Sequence, residues 1–161
     1  MVALMSISDK IQLLIRTGIL TQAIIAFLSY RKFQMLDKRR ATTLFLNDIR
    51  SQMNAARFEV DAFCGPEGTF DSVRHTPKQK IALILYLDLF EELGVGVNTG
   101  IYDAEIVMRL LGGFILNERR RFGHFIRQLR VDQRRMSIYC EFEEMASRIR
   151  ATAPRSMLAG P

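Results

Sequence analysis

Cysteine and histidine are scarce in this chain of 161 residues, which contains two of each. Cys64 and Cys140 are too few for a disulfide framework. No cysteine or histidine is spaced to share a metal ion with another, so His75 and His124 are predicted to be ordinary surface or boundary side chains. We therefore expect two reduced, buried thiols, an intracellular setting, and no metal or other cofactor.

The chain also lacks internal repeats, low-complexity tracts and any linker rich in proline, glycine or serine. It contains no phosphate-cradling loop, nucleophile elbow or Ser/His/Asp pattern, and the VGVNTG segment lacks the strand and lysine that a nucleotide site requires. A hydrophobic content of 48% is enough to bury a core. These features favour a compact, non-catalytic domain over an enzyme.

Apolar residues that favour helices are abundant in the chain, and the segment from Ile81 to Leu93 is nearly all apolar. Thr76 and Gln79 form a capping box around Pro77, which predicts that a helix begins there. Its apolar residues leave almost no polar side. We therefore expect neighbouring elements to cover this helix from most directions.

A glycine-spaced connection follows this helix. Gly94 stands where a left-handed cap is expected, and Asp103 is a good N-cap for a second helix from Ala104 to Leu111. The two helices are therefore predicted to form a hairpin at the centre of the core. The predicted core residues lie on this hairpin and on the C-terminal region: Leu83, Leu87, Phe90, Ile106, Leu110, Phe125 and Leu129.

The motif EELG, followed by a further glycine and GIYDAEIV, resembles a bacterial domain of unknown function, the family numbered four-seven-six-zero. The resemblance continues through the segment Tyr139 to Glu143 and extends from Ala41 to Arg150. It implies a predominantly helical protein, often with an apolar N-terminal segment. It carries no catalytic residue over to this chain.

Apolar residues three or four apart predict a further helix between Ala41 and Phe63. In the C-terminal region the apolar stripe changes sides, which indicates a helix break near Asp132 to Arg135, or one long helix with different neighbours, or a second subunit. We predict an all-α fold, a small helical bundle of about four or five helices. Its regions are an apolar helix with a basic hinge at 1–40, a helical domain at 41–150 and a flexible tail at 151–161.

The segment Ile11 to Tyr30 has the length of about 20 residues that a helix needs to cross a bilayer. Arg16 lies near its start, from where it could snorkel to the interface. Polar residues spread around the helix and so argue against a helix lying flat on the membrane. The segment therefore predicts a transmembrane helix; the alternatives are the first helix of a soluble bundle and a self-association surface. A cleaved signal peptide is disfavoured, because RKF follows where small residues should lie.

Five basic residues follow Ile11–Tyr30 and are the candidate contacts for lipid headgroups: Arg31, Lys32, Lys38, Arg39 and Arg40. The positive-inside rule would hold the rest of the chain on the cytoplasmic side of a bacterial inner membrane. Residues 1–40 carry seven basic and two acidic groups, whereas residues 81–117 carry one basic and five acidic groups. The basic end thus suits an anionic membrane surface.

A second basic stripe could contact an anionic partner through Arg120, Arg127, Arg130 and Arg134. Glu118, Asp132 and Glu141 interrupt it, and no aromatic stacking motif accompanies it. A solvated helix face, a lipid surface, a protein partner and a homo-oligomer remain alternatives. We predict a non-catalytic interaction or scaffold domain tethered to the membrane; the alternative is a soluble nucleic-acid-binding helical protein in the cytoplasm.

The acidic residues have structural interpretations. Glu91, Glu92, Asp103 and Glu105 could bind a divalent cation or serve as an acid/base pair, but Asp103 and Glu105 suit a helix cap and a first turn better. Asp88 is flanked by leucines, and a buried carboxylate needs a partner. An arginine, Arg109 or Arg127, is predicted to provide it.

Overall fold

The computed structural model describes the backbone of residues 7–71 and 74–152 and the side chains of residues 18–71 and 74–152. Within these residues the chain is all-α and contains no strand, which confirms the predicted fold class. Two compact units, Met1–Lys38 and Arg39–Pro161, divide within the first helix. The described residues form four helices: α1 Ile7–Cys64, α2 Pro77–Asn98, α3 Ala104–Gln133 and α4 Cys140–Thr152.

Residues 31–40, the predicted basic hinge, are helical and belong to the 58-residue helix α1. No glycine or proline stands between Gly18 and Gly65, so the backbone offers no residue at which the helix would end. A run of positive charge alone does not interrupt helical hydrogen bonding. The helix ends at Cys64, where Gly65 adopts a positive φ of 78°.

Helix α2 begins as predicted. The Thr76 side chain accepts a hydrogen bond from the Gln79 backbone amide, and the Gln79 side chain accepts one from the Thr76 amide at 2.7 Å. The predicted cap at Gly94 is wrong, since the helix continues to Asn98. Gly94 instead permits close packing: a Cβ there would lie 2.7 Å from the backbone of Glu141 in α4.

Helix α3 begins with the predicted cap, in which Asp103 accepts hydrogen bonds from the amides of Glu105 and Ile106. It does not stop near Leu111 but runs for 30 residues to Gln133. Arg134 then adopts a left-handed conformation with a φ of 51°. The break near Asp132 to Arg135 is therefore the correct one of the three interpretations of the C-terminal stripe.

The buried core draws on all four helices, and α4 packs against both α2 and α3. Leu83, Leu87, Phe90, Phe125 and Leu129 are buried as predicted. Ile106 is partly buried against this core. The predicted burial of Leu110 is wrong, because 54% of this residue is exposed.

Helix α2 is covered from most directions, as expected, but one side stays open. Ile81 and Leu85, four residues apart on one side of the helix, are 57% and 61% exposed. An apolar sequence on every side of a helix does not reveal which side the neighbouring helices leave open.

The end of α4 marks the limit of the described C-terminal region. Residues 151 and 152, the first of the predicted tail, are helical, and residues 153–161 lie outside the described residues.

Candidate functional site

The part of α1 within the first unit carries a large exposed apolar surface. Ten large apolar side chains are each 51–64% exposed. At about 100° per residue they lie on every side of the helix rather than on one stripe. They are Ile19, Leu20, Ile24, Ile25, Phe27, Leu28, Tyr30, Phe33, Met35 and Leu36. We call residues 19–36 the apolar segment.

The predicted transmembrane helix, Ile11–Tyr30, shares residues 19–30 with this segment. The side chains of residues 11–17 lie outside the described residues. Over the part of the chain that the structure describes, no helix combines the length and the apolar character needed to cross a membrane.

The five predicted lipid-contact residues differ in their surroundings. Arg31, Lys32 and Arg40 are exposed, and the Arg31 guanidinium lies 5.8 Å from the centre of the Phe27 ring. Lys38 is half-buried. Arg39 is engaged in the second unit, as described next.

Arg39 belongs to a charged cluster at the start of α3. Its Nε lies 3.2 Å from the Asp103 carboxylate, and its Nη2 lies 3.8 Å from Glu105. Burial raises the pKa of Asp103, but hydrogen bonds from the Ile106 amide, Arg39 and the Glu105 amide outweigh it, so the pKa lies below its ordinary value. Arg39 therefore links α1 to the N-terminal end of α3.

The predicted arginine stripe lies on α3 and its C-cap, with one member taken up by the fold. Arg120, Arg127 and Arg134 are exposed. Arg130 is only 12% exposed: it lies 2.7 Å from the Glu143 carboxylate and donates a hydrogen bond of 2.8 Å to the Ile138 carbonyl. The stripe thus offers three exposed arginines, because Arg130 connects α3 to α4.

A buried charged cluster that the sequence analysis missed joins α1, the α1–α2 loop and α3. Arg121, with a side chain 3% exposed, lies 2.7 Å from the Asp61 carboxylate. It donates hydrogen bonds to the carbonyls of Gly68, at 2.6 Å, and Gly65. The available signal was the position of Arg121 and Glu118 among the apolar residues of the amphipathic face of α3.

Glu118 is the most enclosed member of this cluster, with no exposed surface. Its carboxylate lies 3.6 Å from Arg121, and neither of its oxygens has a hydrogen-bond partner among the described residues. Burial raises the pKa of Glu118, and the positive charges of Arg121 and Arg57 lower it by less. Burial likewise raises the pKa of the neighbouring Tyr86 hydroxyl.

The predicted arginine partner of Asp88 is wrong. Asp88 is exposed and accepts a hydrogen bond of 3.0 Å from the Tyr139 hydroxyl, whereas Arg109 pairs with Glu105 at 2.6 Å. The leucines that flank Asp88 in sequence do not enclose it, because it lies on a side of α2 that the bundle leaves open.

Glu91 has a structural role that its position in sequence did not suggest. Its carboxylate accepts hydrogen bonds from the backbone amides of Phe142, at 2.8 Å, and Glu141, at 3.4 Å. Glu91 of α2 therefore satisfies free amides in the first turn of α4. Burial raises the pKa of Glu91, and these hydrogen bonds oppose the rise.

The four acidic residues considered above as a cation site or an acid/base pair have different surroundings. Glu91, Asp103 and Glu105 make the contacts described above, and Glu92 is exposed. The described residues contain no group of three or more histidine, cysteine, aspartate or glutamate side chains placed to hold a metal ion.

The two histidines differ in burial and contacts, and so do the two cysteines. His75 lies between aromatic rings, stacked on Phe70 at 4.6 Å, and its Nε2 is 3.2 Å from the Phe63 carbonyl. His124 is exposed. Both cysteines are free thiols; Cys64 is partly buried, but the predicted burial of Cys140 is wrong, because it is exposed at the start of α4.

The chain matches the domain of unknown function named DUF4760 over residues 16–149 and belongs to that family. This agrees with the resemblance carried by the glycine-spaced motif between α2 and α3. No curated protein and no solved structure matches the chain.

Proposed function

We propose that this DUF4760 protein is a non-catalytic interaction or scaffold domain tethered to the cytoplasmic face of a bacterial membrane by the N-terminal part of α1. The observation that carries the proposal is the exposed apolar segment. A helix that exposes large apolar side chains on every side is stabilised most by apolar surroundings on every side. A single partner helix would cover only a stripe, whereas lipid would surround the helix.

Charge supports the same orientation. The exposed Arg31 and Lys32 lie in the apolar segment near its C-terminal end, and Arg40 follows. Basic residues at the end of a membrane-inserted helix favour the cytoplasmic side and attract anionic headgroups, each by about 1 kcal/mol near the surface. Arg39 is also exposed, although its guanidinium lies 3.2 Å from Asp103 and 3.8 Å from Glu105.

The second unit supports an interaction role. Its buried and partly buried ionisable side chains include helix caps and ion pairs between helices, such as Arg130 with Glu143 and Arg121 with Asp61. Groups engaged in this way are poorly placed to exchange protons with a substrate. We therefore assign the bundle to binding a partner rather than to chemistry.

Cell fractionation tests the tether. The full chain and a form lacking residues 1–30 would be expressed in bacteria, and the membranes washed with high salt and then with alkaline carbonate. We expect the full chain to resist both washes and the shortened form to be soluble. A full chain released by salt would contradict insertion, and a shortened form that stays on membranes would move the attachment to the bundle.

A pair of double variants distinguishes insertion of the apolar segment from nonspecific adsorption of the protein to membranes. Ile24→Arg with Leu28→Arg changes two exposed residues four apart in the apolar segment. Ile81→Arg with Leu85→Arg is the matched control, with the same residue types, the same spacing and similar exposure on α2. We expect the first variant to leave the membrane and the second to remain. Equal behaviour of the two would overturn the proposal.

Nucleic-acid binding is the second candidate, favoured by the three exposed arginines of the stripe. It predicts binding to DNA or RNA that weakens with salt and is lost when Arg120, Arg127 and Arg134 become glutamate. Binding that survives these substitutions, or no binding at low salt, would remove this candidate.

A further inference from the structure

A cleft of about 370 Å³ lies between the α1–α2 loop, the start of α2 and the C-terminal half of α3. Neither the apolar segment nor the arginine stripe contributes to its lining. Its size falls within the range of about 300–1,000 Å³ that small-molecule sites occupy. Such sites combine an apolar surface with a few polar groups that fix the orientation of the ligand.

Aromatic rings form the apolar side of the cleft. Phe70 and Phe125 lie edge to face with their ring centres 5.0 Å apart, and they are 8% and 7% exposed. His75 stacks on Phe70 with a ring separation of 4.6 Å, so the Phe70 ring is held on two sides. Leu129 continues the apolar lining. This surface suits a compact apolar group.

Three charged residues line the same cleft: Lys80 of α2, Asp132 of α3 and Asp71 of the α1–α2 loop. The Asp71 carboxylate lies 3.5 Å from the Arg74 guanidinium and is already paired. Lys80 and Asp132 are of opposite sign. Among the described residues, neither takes part in an ion pair within 4.0 Å, with the other or with a third residue. Asp132 accepts one hydrogen bond, of 2.9 Å, from Gln128, and a carboxylate has room for several more. Both charges therefore remain available to a ligand.

The helix termini reinforce this separation of charge. Lys80 follows closely on the N-terminal end of α2 at Pro77, where the helix dipole attracts anions. Asp132 lies one residue before the C-terminal end of α3 at Gln133, where the dipole attracts cations. The dipole of α2 thus favours a negative group near Lys80, and the dipole of α3 favours a positive group near Asp132.

We propose that this cleft binds a free α-amino acid with an apolar side chain. Lys80 binds its carboxylate, Asp132 binds its ammonium group, and the side chain lies against Phe70 and Phe125. A ligand with only a carboxylate would leave Asp132 facing an anion, and a ligand with only an amine would leave Lys80 without a partner. The cleft thereby selects a zwitterion.

Isothermal titration of the full chain in detergent micelles tests the ligand class. We expect L-phenylalanine and L-leucine to bind, and N-acetyl-L-phenylalanine and phenethylamine, which each lack one charge, to bind at least about tenfold more weakly. Absence of binding by both amino acids, or equal affinity for the acetylated compound or the amine, would overturn the proposal.

Three variants test the site. Lys80→Gln and Asp132→Asn should each weaken L-phenylalanine binding about tenfold, because each removes one charged hydrogen bond. Lys78→Gln is the matched control, since Lys78 is exposed in the same turn but does not line the cleft. Circular dichroism would confirm that each variant is folded. Unchanged affinity in Lys80→Gln and Asp132→Asn, or an equal loss in Lys78→Gln, would overturn the assignment.

Discussion

The two parts of α1 on either side of the unit boundary are both rich in apolar residues but arrange them differently. In the apolar segment they surround the helix and are exposed. In the second part, Leu46, Ile49, Met53 and Val60 follow one another at intervals of three, four and seven, and each is at most 4% exposed. The arrangement of apolar residues around a helix, rather than their number, indicates what covers it.

The charged residues differ between the two regions in a parallel way. In the apolar segment, Arg31 and Lys32 are exposed to solvent. In the bundle, Arg39, Arg121 and Arg130 are each held by a carboxylate of another helix or loop. In these three cases the bundle uses charge in contacts that hold the fold, whereas the charges of the apolar segment stay exposed. Stability and membrane attachment should therefore respond to different substitutions.

The largest expected effect on the bundle comes from Arg121→Met. The substitution removes the buried cation beside Glu118 and Asp61, although Asp61 keeps a pair with Arg57 at 3.3 Å. Breaking a buried ion pair costs about 3–5 kcal/mol. Urea unfolding of the full chain in detergent, followed by circular dichroism, would measure this loss. Membrane retention should not change, because Arg121 lies in the second unit.

Arg120→Met is the control for this prediction. Arg120 is exposed and donates to Asn117 one turn away, so its loss should change stability by no more than about 0.5 kcal/mol. Equal effects of the two substitutions would show that the buried cluster does not hold the bundle together.

The next prediction compares isoleucines on the two sides of the boundary. Ile49 is 2% exposed and Ile25 is 58% exposed. Ile49→Ala should lower the free energy of unfolding by about 2–5 kcal/mol, because it removes a buried side chain and leaves a cavity. Ile25→Ala should change it by about 0.5 kcal/mol or less. A large loss for Ile25→Ala would show that protein already covers the apolar segment, which would contradict the proposed contact with lipid.

Local signals in the sequence predicted much of the fold. The break near Asp132 to Arg135 was one of three interpretations of the longer apolar stripe. The capping box at Thr76 and the N-cap at Asp103 depend on residues within one turn of one another. These interactions form whatever the rest of the chain does, so a sequence is enough to predict them.

The errors arose where distant parts of the chain decide the outcome. Gly94 has the residue type of a helix end, but its function is set by Glu141, 47 positions later, which approaches it closely. The partner of Asp88 is Tyr139 for the same reason. The buried cluster around Arg121 required knowing that Asp61 and the Gly65 and Gly68 carbonyls converge there, and spacing in the sequence does not show this.

Alanine substitutions at two glycines of the bundle should change its stability by smaller amounts and in opposite directions. Gly94→Ala should destabilise by about 1–3 kcal/mol, because the added methyl group meets the backbone of Glu141 and overpacks the contact between α2 and α4. Gly113→Ala is the control: a Cβ there meets nothing within 4 Å, and alanine is favoured over glycine in a helix by about 1 kcal/mol. Thermal unfolding would measure both. If Gly94→Ala also stabilised, the close approach of α2 and α4 would be wrong.

The last prediction concerns the pH dependence of bundle stability and involves two carboxylates of opposite behaviour. Burial raises the pKa of Glu118 above its ordinary value of 4.5, so the folded state holds this proton more strongly than the unfolded state does. This contribution to stability is therefore present below pH 4.5 and is lost as the pH rises through the folded pKa. The lowered pKa of Asp103 acts in the opposite sense: its contribution is present above the ordinary value of 3.8 and is lost as the pH falls.

Glu118→Gln isolates the first of these effects, because glutamine has a similar shape and does not titrate. Urea midpoints between pH 4 and 8 should fall with rising pH more steeply in the natural protein than in this variant. Asp103→Asn should leave that decline unchanged and remove stability gained above pH 3.8. Parallel curves for the natural protein and Glu118→Gln would mean that the Glu118 carboxylate has the same proton affinity when folded and unfolded, and that Arg121 and Arg57 fully offset its burial.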